Sequence, residues 1–213
     1  MFRRFKISIL SLIFLLFSSQ GFASDNFYEQ AVQAFHEGKY DTSFIYLKNA
    51  LEVNPRNLPA KILMGKLLLR RGYFKESINE FEEALSYRAD MNLIVADYTT
   101  ALNFERRYKE VLSVVDGYSL NRDGEFEYLL NKAIAYKNLE LTTLTVQAYN
   151  RAMALKPRDV RAINSLAAFE LSLGNLELSE TLINRSLSID PFDHRTIHLQ
   201  GQLYYGQEKF EDA

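Results

Sequence analysis

A period of 34 residues runs through this 213-residue chain and constrains its fold more than any other feature. Pro157 and Pro191 lie 34 positions apart, and each follows an apolar pattern of helical spacing. A 34-residue frame laid from residue 24 continues to the end of the chain without an insertion. Its six copies start at Ser24, Leu58, Asn92, Phe126, Val160 and His194, and the last copy is incomplete. A period in the range of about 20 to 50 residues is typical of one supersecondary unit stacked many times.

Each copy of the frame has the pattern of a helical hairpin. Position 8 carries a small residue in every copy: Ala31, Gly65, Thr99, Ala133, Ala167 and Gly201. Position 24 carries a large apolar residue: Leu47, Phe81, Val115, Tyr149 and Ile183. Positions 20 and 27 are also mostly small, and position 17 is mostly large and apolar. Small residues let two helices approach closely and large ones fill the space between them, so the pattern predicts two packed helices per repeat.

The turns of the frame carry residues that end and begin helices. Glycine stands at position 15 in three repeats (Gly38, Gly72 and Gly174), where we expect a left-handed cap after the first helix. A residue suited to an N-cap precedes the next repeat in three places (Asn57, Asp159 and Asp193). Residues 93–95 and 142–146 have strand propensity, but the unbroken register favours helix there. The third repeat is degenerate near Val115 and Tyr118, so we expect an irregular second helix.

This pattern resembles the tetratricopeptide repeat (TPR), and the resemblance covers residues 24–213. It implies an all-α fold, a right-handed α-solenoid of 34-residue TPR hairpins whose first helices line a concave face. The chain stops at Ala213, position 20 of the sixth repeat. Because each repeat buries its apolar side only against a neighbour, we expect further repeats to follow in the natural protein.

The first 23 residues have the pattern of an export signal. They begin with three basic residues, Arg3, Arg4 and Lys6. The apolar run over residues 7–17 covers roughly 16 Å as a helix, about half of the hydrocarbon core of a bilayer, so it is too short to span one. Gly21 and Ala23 supply small residues at the −3 and −1 positions, which predicts cleavage after Ala23. Because the chain has no cysteine to carry a lipid, the prediction is a soluble periplasmic protein.

Composition and motifs argue against several other functions. The chain has 25 Lys and Arg against 27 Asp and Glu, a net charge of −2, so it offers no polycationic surface for nucleic acid. The absence of cysteine excludes disulfides, thiolate zinc sites and iron–sulfur clusters. His194 and His198 have metal-ligand spacing, but no Glu of a zinc-protease motif lies between them, and exposed helix histidines are the better interpretation. We therefore predict no catalytic site, no metal and no cofactor.

The TPR resemblance also implies which surface binds partners. In TPR proteins, ligands contact positions 2, 5, 9, 12 and 13 of the first helices. The candidates at or beside these positions are Tyr28, Lys66, Arg70, Asn103, Phe104, Lys137, Arg161, Asn164, Arg195, His198 and Tyr205. The charged ones are mostly basic, which suggests an acidic peptide or an acidic polysaccharide as ligand. No repeat has Lys at position 5, so the clamp that chaperone-binding TPRs use for a C-terminal carboxylate is not predicted.

A narrower resemblance concerns residues 47–65 and 87–90. These segments are similar to the exported TPR protein of PEP-CTERM/exosortase exopolysaccharide systems. This implies a non-enzymatic scaffold of the bacterial envelope that binds protein partners of polysaccharide assembly or export. Two alternatives stay open: an exported TPR assembly chaperone for another envelope process, such as pilus or cytochrome assembly, and the N-terminal TPR part of a longer enzyme.

Overall fold

The computed structural model describes the backbone of residues 9–207 and the side chains of residues 23–207. Within these residues the structure contains helices and turns and no strand. The helices are α1 Ile9–His36, α2 Tyr40–Val53, α3 Leu58–Arg70, α4 Phe74–Ser86, α5 Val95–Phe104, α6 Tyr108–Ser113, α7 Arg122–Asn138, α8 Thr142–Leu155, α9 Val160–Ser172, α10 Leu176–Ile189 and α11 His194–Gly206. A short 3-10 turn, Met91–Leu93, precedes α5.

Most helix boundaries recur with the 34-residue period. The second helix of each complete repeat begins on the same frame position, at Tyr40, Phe74, Tyr108, Thr142 and Leu176. First helices begin at the predicted Leu58, Val160 and His194, whereas α7 begins at Arg122, four residues before the predicted Phe126. Asn121 explains this early start, because its side chain accepts a hydrogen bond from the Gly124 amide at 2.7 Å and caps the helix there.

The predicted irregularity of the third repeat is confirmed. Its second helix, α6, has only six residues and ends at Ser113. The turn after α6 contains Gly117, whose φ of 83° is left-handed. Position 27 holds Tyr118, which is 45% exposed, where the other repeats have a buried small residue. The segment 142–146 is helical, as the register predicts. Leu93 ends the 3-10 turn, Ile94 is a turn residue and Val95 begins α5.

The chain divides into two compact units, Met1–Glu105 and Arg106–Ala213. In each unit, helices pack on their neighbours in the chain, and first helices of adjacent repeats also touch: α1 with α3 and α3 with α5 in the first unit, α9 with α11 in the second. The core of the first unit includes Leu47 and Leu67, and that of the second includes Phe126 and Ile163. First helices therefore form a common face within each unit.

A serine at position 20 joins the two helices of a hairpin through a hydrogen bond. The Ser43 hydroxyl donates to the Ala31 carbonyl at 2.9 Å, and Ser77 donates to the Gly65 carbonyl at 2.7 Å. Ser179 does the same with the Ala167 carbonyl at 3.0 Å. Each bond joins position 20 to position 8, so the small residues at both positions bring a hydroxyl within reach of the facing backbone.

The predicted caps are present in the structure. Gly38, Gly72 and Gly174 have φ values of 73°, 81° and 80°. Asn57, Asp159 and Asp193 accept hydrogen bonds from backbone amides of α3, α9 and α11. The same left-handed turn occurs in repeats without glycine, at Arg106 with φ 59° and Glu140 with φ 61°.

The first helix runs without interruption from Ile9 to His36, across the cleavage point predicted after Ala23. Ser24 is buried, and its hydroxyl donates to the Ala50 carbonyl at 3.0 Å while it accepts from Asn57 Nδ2 at 2.8 Å. Among the residues that the structure describes, no helix is long and apolar enough to cross a bilayer.

Candidate partner-binding surfaces

The first unit has an apolar pocket between α1 and α3 with a volume of about 530 Å³. Eight of its lining residues are apolar or have an aromatic ring: Tyr28, Val32, Phe35, Leu58, Pro59, Ile62, Leu63 and Leu93. They come from positions that lie on one face of α1 and α3, together with one residue of the 3-10 turn. Partial burial raises the pKa of the Tyr28 phenol above its ordinary value. The predicted Tyr28 and Lys66 both line this pocket.

Two predicted cations of the first unit already have partners. Lys66 Nζ lies 3.4 Å from Asp97 Oδ2, so much of its charge is balanced by the next repeat. The Arg70 guanidinium is exposed and lies 5.5 Å from the centre of the Phe35 ring, a cation–π contact at the end of the pocket. The basic character of this face therefore comes mainly from Arg70.

Asn103 and Phe104, the other candidates of the first unit, do not line the pocket. Phe104 is 61% exposed and stacks on Phe74 with the ring centres 4.4 Å apart. Asn103 is half-buried on α5. Tyr28, Lys66 and Arg70 thus lie at or beside the pocket, whereas Asn103 and Phe104 lie away from it.

The second unit has a groove between α9 and α11, formed by adjoining cavities of about 410 and 750 Å³. Ala168 and His198 line both cavities, which makes the groove continuous. The predicted Arg161 and Arg195 line the first cavity, and Tyr205 lines the second. Lys137 is exposed on the last turn of α7 and lines neither.

Asn164 has a structural role that the sequence analysis did not foresee. It is 5% exposed, and its amide nitrogen donates to Asp193 Oδ2 and to Thr196 Oγ1, both at 2.9 Å. Ser186 Oγ lies 2.9 Å from the same Thr196 hydroxyl. Asn164 thus joins α9 to the start of α11, and its amide is not available to a partner.

Arg161 is held by two carboxylates. Its guanidinium donates to Glu127 Oε1 and to Asp159 Oδ2, both at 2.8 Å, and it lies 4.9 Å from the centre of the Phe126 ring. The hydrogen bond with Asp159 and the one with Glu127 raise the pKa of Arg161 above its ordinary value. With Lys66 and Arg161 both paired, the first-helix faces are less basic than the sequence predicts.

Solved structures of 14–20% identity share this fold over most of the chain. PilW, a type IV pilus biogenesis factor, superposes with a TM-score of 0.74 at 18% identity over 89% of this chain and 88% of its own. A tetratricopeptide repeat protein from Parabacteroides merdae gives 0.69 at 20% identity over 89% and 75% of the two chains. The TPR protein YrrB gives 0.57 at 15% identity over 82% and 90%.

The fold is an all-α TPR solenoid. No protein-family model matches the sequence, and no curated protein matches it significantly. The identity to the solved structures is too low to carry over a partner, so the TPR fold is what these comparisons establish.

One residue departs from the TPR pattern of this chain in a way that the sequence analysis missed. Position 4 of the frame is apolar in five repeats (Phe27, Val95, Leu129, Ile163 and Ile197) and is lysine in the second. The Lys61 side chain is 8% exposed, with its Nζ 2.5 Å from Glu83 Oε2 and 3.6 Å from Glu80 Oε2. A lysine at an otherwise apolar frame position was the sequence signal that could have revealed this cluster.

Burial affects the pKa values of both Lys61 and Glu80. It lowers the pKa of Lys61, but the hydrogen bond and the charges of the two glutamates outweigh it, so the pKa of Lys61 is raised. For Glu80, burial outweighs the attraction of Lys61 and raises the pKa of the carboxyl. The cluster is a partly buried ion triad within one hairpin, and it replaces an apolar contact of the other repeats.

His194 and His198 are exposed on α11. Across the part of the chain that the structure describes, no three histidine, aspartate or glutamate side chains are arranged to hold a metal ion.

Proposed function

We propose that this chain is a non-enzymatic scaffold that binds protein partners through the first-helix face of its TPR repeats. The observation that carries the proposal is the open apolar pocket between α1 and α3. Burying a partner's apolar side chains there would favour binding by about 25 cal/mol for each Å² of apolar surface that is taken out of water. Rigid helices position the lining, so a partner meets a surface that is already formed.

We further propose that the scaffold works in the bacterial envelope, in the periplasm. The support is the pattern of residues 1–23: a basic start, a short apolar run and small residues at the predicted cleavage point. The N-terminal residue of the secreted chain, read by mass spectrometry, tests this. Ser24 is the expected first residue, and an uncleaved chain retained in the cytoplasm would refute the envelope location.

Within the envelope, we propose a role in exopolysaccharide assembly or export of the PEP-CTERM/exosortase type. The support is the resemblance of residues 47–65 and 87–90 to the exported TPR protein of these systems. Exosortase and glycosyltransferase genes beside the coding gene, and loss of secreted polysaccharide when the gene is deleted, are the expected results.

A photoreactive residue at Val32 tests the pocket in intact cells. Val32 lines the pocket and is half-buried, so we expect a covalent adduct with one specific envelope protein. Lys75, exposed on α4, is the control position and should give no such adduct. An equal adduct from both positions would show that the pocket is not the binding surface.

A matched pair of substitutions complements the crosslink. Val32→Glu places a carboxylate in the pocket, and we expect it to abolish the adduct formed from a probe at Leu93. Ile45→Glu makes a similar apolar-to-acidic change on α2, where Ile45 is 58% exposed, and should leave the adduct unchanged. Both variants should retain their helical circular dichroism.

A second candidate is an assembly factor for type IV pili. It is favoured by the fold likeness to PilW, which spans 89% of this chain. Deletion of the gene distinguishes the two proposals: loss of pili with normal polysaccharide secretion supports the pilus role, and the reverse supports the polysaccharide role.

A further inference from the structure

A second open surface of the first unit lies between α2 and α4, on the side of the second helices. Two adjoining cavities of about 660 and 430 Å³ form it, and Phe44, Leu68 and Glu76 line both, so they make one continuous cleft. Helix α3 packs against both α2 and α4, and its buried Met64 and Leu68 contribute the floor of the cleft. The cleft is a different surface from the pocket between α1 and α3, which other residues line.

The smaller cavity shows which chemistry fits this cleft. The Arg71 guanidinium lies 5.4 Å from the centre of the Phe44 ring and 5.6 Å from the centre of the Tyr73 ring. Arg71 Nη2 is also 2.9 Å from Asp41 Oδ1. Aromatic rings and a carboxylate thus already hold one cation of the chain itself, and this combination of groups attracts cations.

The cleft has an excess of negative charge after its own cations are counted. Five carboxylates lie in or directly behind it, and three cations face them: Asp41, Glu52, Glu76, Glu80 and Glu83 against Lys48, Lys61 and Arg71. Each cation balances one carboxylate, which leaves an excess of two negative charges. The excess lies at Glu76 and at the pair of Glu80 and Glu83, which shares one lysine. The larger cavity therefore favours a cationic ligand.

Glu80 is a carboxylate whose hydrogen bonding is incomplete. Its Oε2 atom is buried and accepts no hydrogen bond from the part of the chain that the structure describes, although Lys61 Nζ lies 3.6 Å away as an ion-pair partner. The other four complete repeats have an apolar or aromatic residue at the same frame position: Tyr46, Val114, Ala148 and Leu182. A buried polar atom without a hydrogen bond destabilises the fold. A further cation in the cleft would offset this cost, because a nearby positive charge stabilises the ionised carboxylate.

Lysine and arginine side chains match this arrangement because they combine an apolar stem with a charged end. The stem can lie on Phe44 while the charged end reaches Glu76 and Glu80. A metal ion would use only the carboxylates, and across the described residues no three of them are arranged to hold one. Ile45 is 58% exposed and Tyr73 is 49% exposed at the smaller cavity, so a ligand also needs apolar groups beside its cations.

We propose that the cleft between α2 and α4 binds a segment of a protein partner in which lysine or arginine alternates with apolar side chains. The cationic groups contact Glu76 and Glu80, and the apolar ones contact Ile45 and Tyr73. This inference goes beyond the proposed function, because the chain then holds two proteins at once, one on each side of its first unit.

Fluorescence anisotropy on the full chain tests the proposal, with a short labelled peptide of alternating lysine and leucine as the probe. Glu76→Lys should weaken binding about tenfold, because it replaces attraction by repulsion at the contact. Glu177→Lys is the matched control, since Glu177 is also exposed in the first turn of a second helix but belongs to α10. This control should bind the probe as the parent chain does.

Two altered probes separate the two components of the contact. Norleucine in place of lysine keeps the stem and removes the charge, whereas serine in place of leucine keeps the charge and removes the apolar groups. We expect each altered probe to bind about tenfold more weakly or worse. Equal binding of either altered probe, an unchanged affinity in Glu76→Lys, or an equal loss in Glu177→Lys would overturn the proposal.

Analytical ultracentrifugation tests whether a second copy of this chain occupies the cleft. A dimer of the parent chain that Glu76→Lys dissociates would assign the cleft to self-association and overturn the proposal. Val32→Glu should leave the affinity for the lysine probe unchanged, and Glu76→Lys should leave the adduct from Leu93 unchanged. Failure of the pocket between α1 and α3 and failure of this cleft are therefore separable.

Discussion

Gly65 and Phe81 show how closely two side chains can be coupled inside one hairpin. A Cβ at Gly65 would lie 2.6 Å from Phe81 Cε1, and the Phe81 ring is fully buried. The first repeat has Ala31 and Leu47 at the same two positions. In the second repeat the Phe81 ring therefore occupies the space that a Cβ at position 8 would need, whereas Ala31 fits opposite Leu47 in the first repeat.

A double-mutant cycle tests this coupling. Gly65→Ala should destabilise the chain by about 1 to 2 kcal/mol, because the overlap outweighs the gain in helix propensity. Adding Phe81→Leu should recover part of that loss and give a coupling energy of about 1 kcal/mol or more. The free energy of unfolding in urea is the measurement, and strictly additive effects would contradict the account.

The packing of the second repeat depends on the ion pairs of Lys61 with Glu80 and Glu83. Lys61→Met leaves the partly buried Glu80 carboxylate, whose side chain is 25% exposed, without its cation, and we expect a loss of about 1 to 3 kcal/mol in the free energy of unfolding at neutral pH. The double variant Lys61→Met with Glu80→Met should recover most of it, because both buried charges are then removed. The measurement is the free energy of unfolding in denaturant for the parent chain, the single variant and the double variant. A double variant that is no more stable than Lys61→Met would disprove the role of Glu80.

The same cluster predicts a pH dependence with a defined sign. The pKa of Glu80 is raised in the folded chain, so its contribution to stability is greatest when it is protonated and falls as the pH rises through that pKa. In Lys61→Met the loss of stability should therefore shrink between neutral pH and about pH 5. A loss that stays constant over this range would show that Glu80 is not responsible.

The element that joins the two helices of a hairpin has one backbone geometry in five repeats. Position 15 is left-handed at Gly38, Gly72, Arg106, Glu140 and Gly174. A residue with a Cβ in this conformation costs about 1 to 2 kcal/mol relative to the right-handed one. Glycine was therefore a sufficient sequence signal for the turn but not a necessary one.

Glu140→Gly should stabilise the chain by about 0.5 to 1 kcal/mol, because the removed strain exceeds the extra flexibility of the unfolded state. Gly72→Ala is the reverse change and should destabilise by about 1 kcal/mol, since nothing lies within 4 Å of the added Cβ and only the backbone responds. Thermal unfolding is the measurement. Stabilisation by both changes would contradict this interpretation.

The start of α11 predicts sensitivity to acid. Hydrogen bonds from the Thr196 side chain and amide lower the pKa of Asp193. A lowered pKa stabilises the folded state above the ordinary value of about 4, and this contribution is lost as the pH falls through the folded pKa. Asp193→Ala should cost about 1 kcal/mol at neutral pH and flatten the loss below about pH 4. An acid transition identical to that of the parent chain would refute this role.

At the scale of the whole molecule, the period was the most informative feature of the sequence. The second helices of the five complete repeats all begin at frame position 17, two residues after the cap predicted at position 15. The period placed the start of α7 four residues too late, because the cap at Asn121 lies outside the frame positions that the other repeats use.

The candidate surface was predictable only in part. The positions that the TPR resemblance implies do line the pocket and the groove, as Tyr28 and Arg195 show. The charge was overestimated, because Asp97 and Asp159 come from positions outside that set and pair with the cations. Asn164 was misplaced because its burial depends on the cap of the following helix, which one repeat alone does not reveal.

The central claim is that partners bind on the first-helix face. Hydrogen exchange on the full chain, with and without the partner identified by the Val32 crosslink, tests it most directly. The account predicts that binding protects amides of α1 and α3 around the pocket while α2 and α4 exchange as in the free chain. Protection confined to α2 and α4 would contradict it.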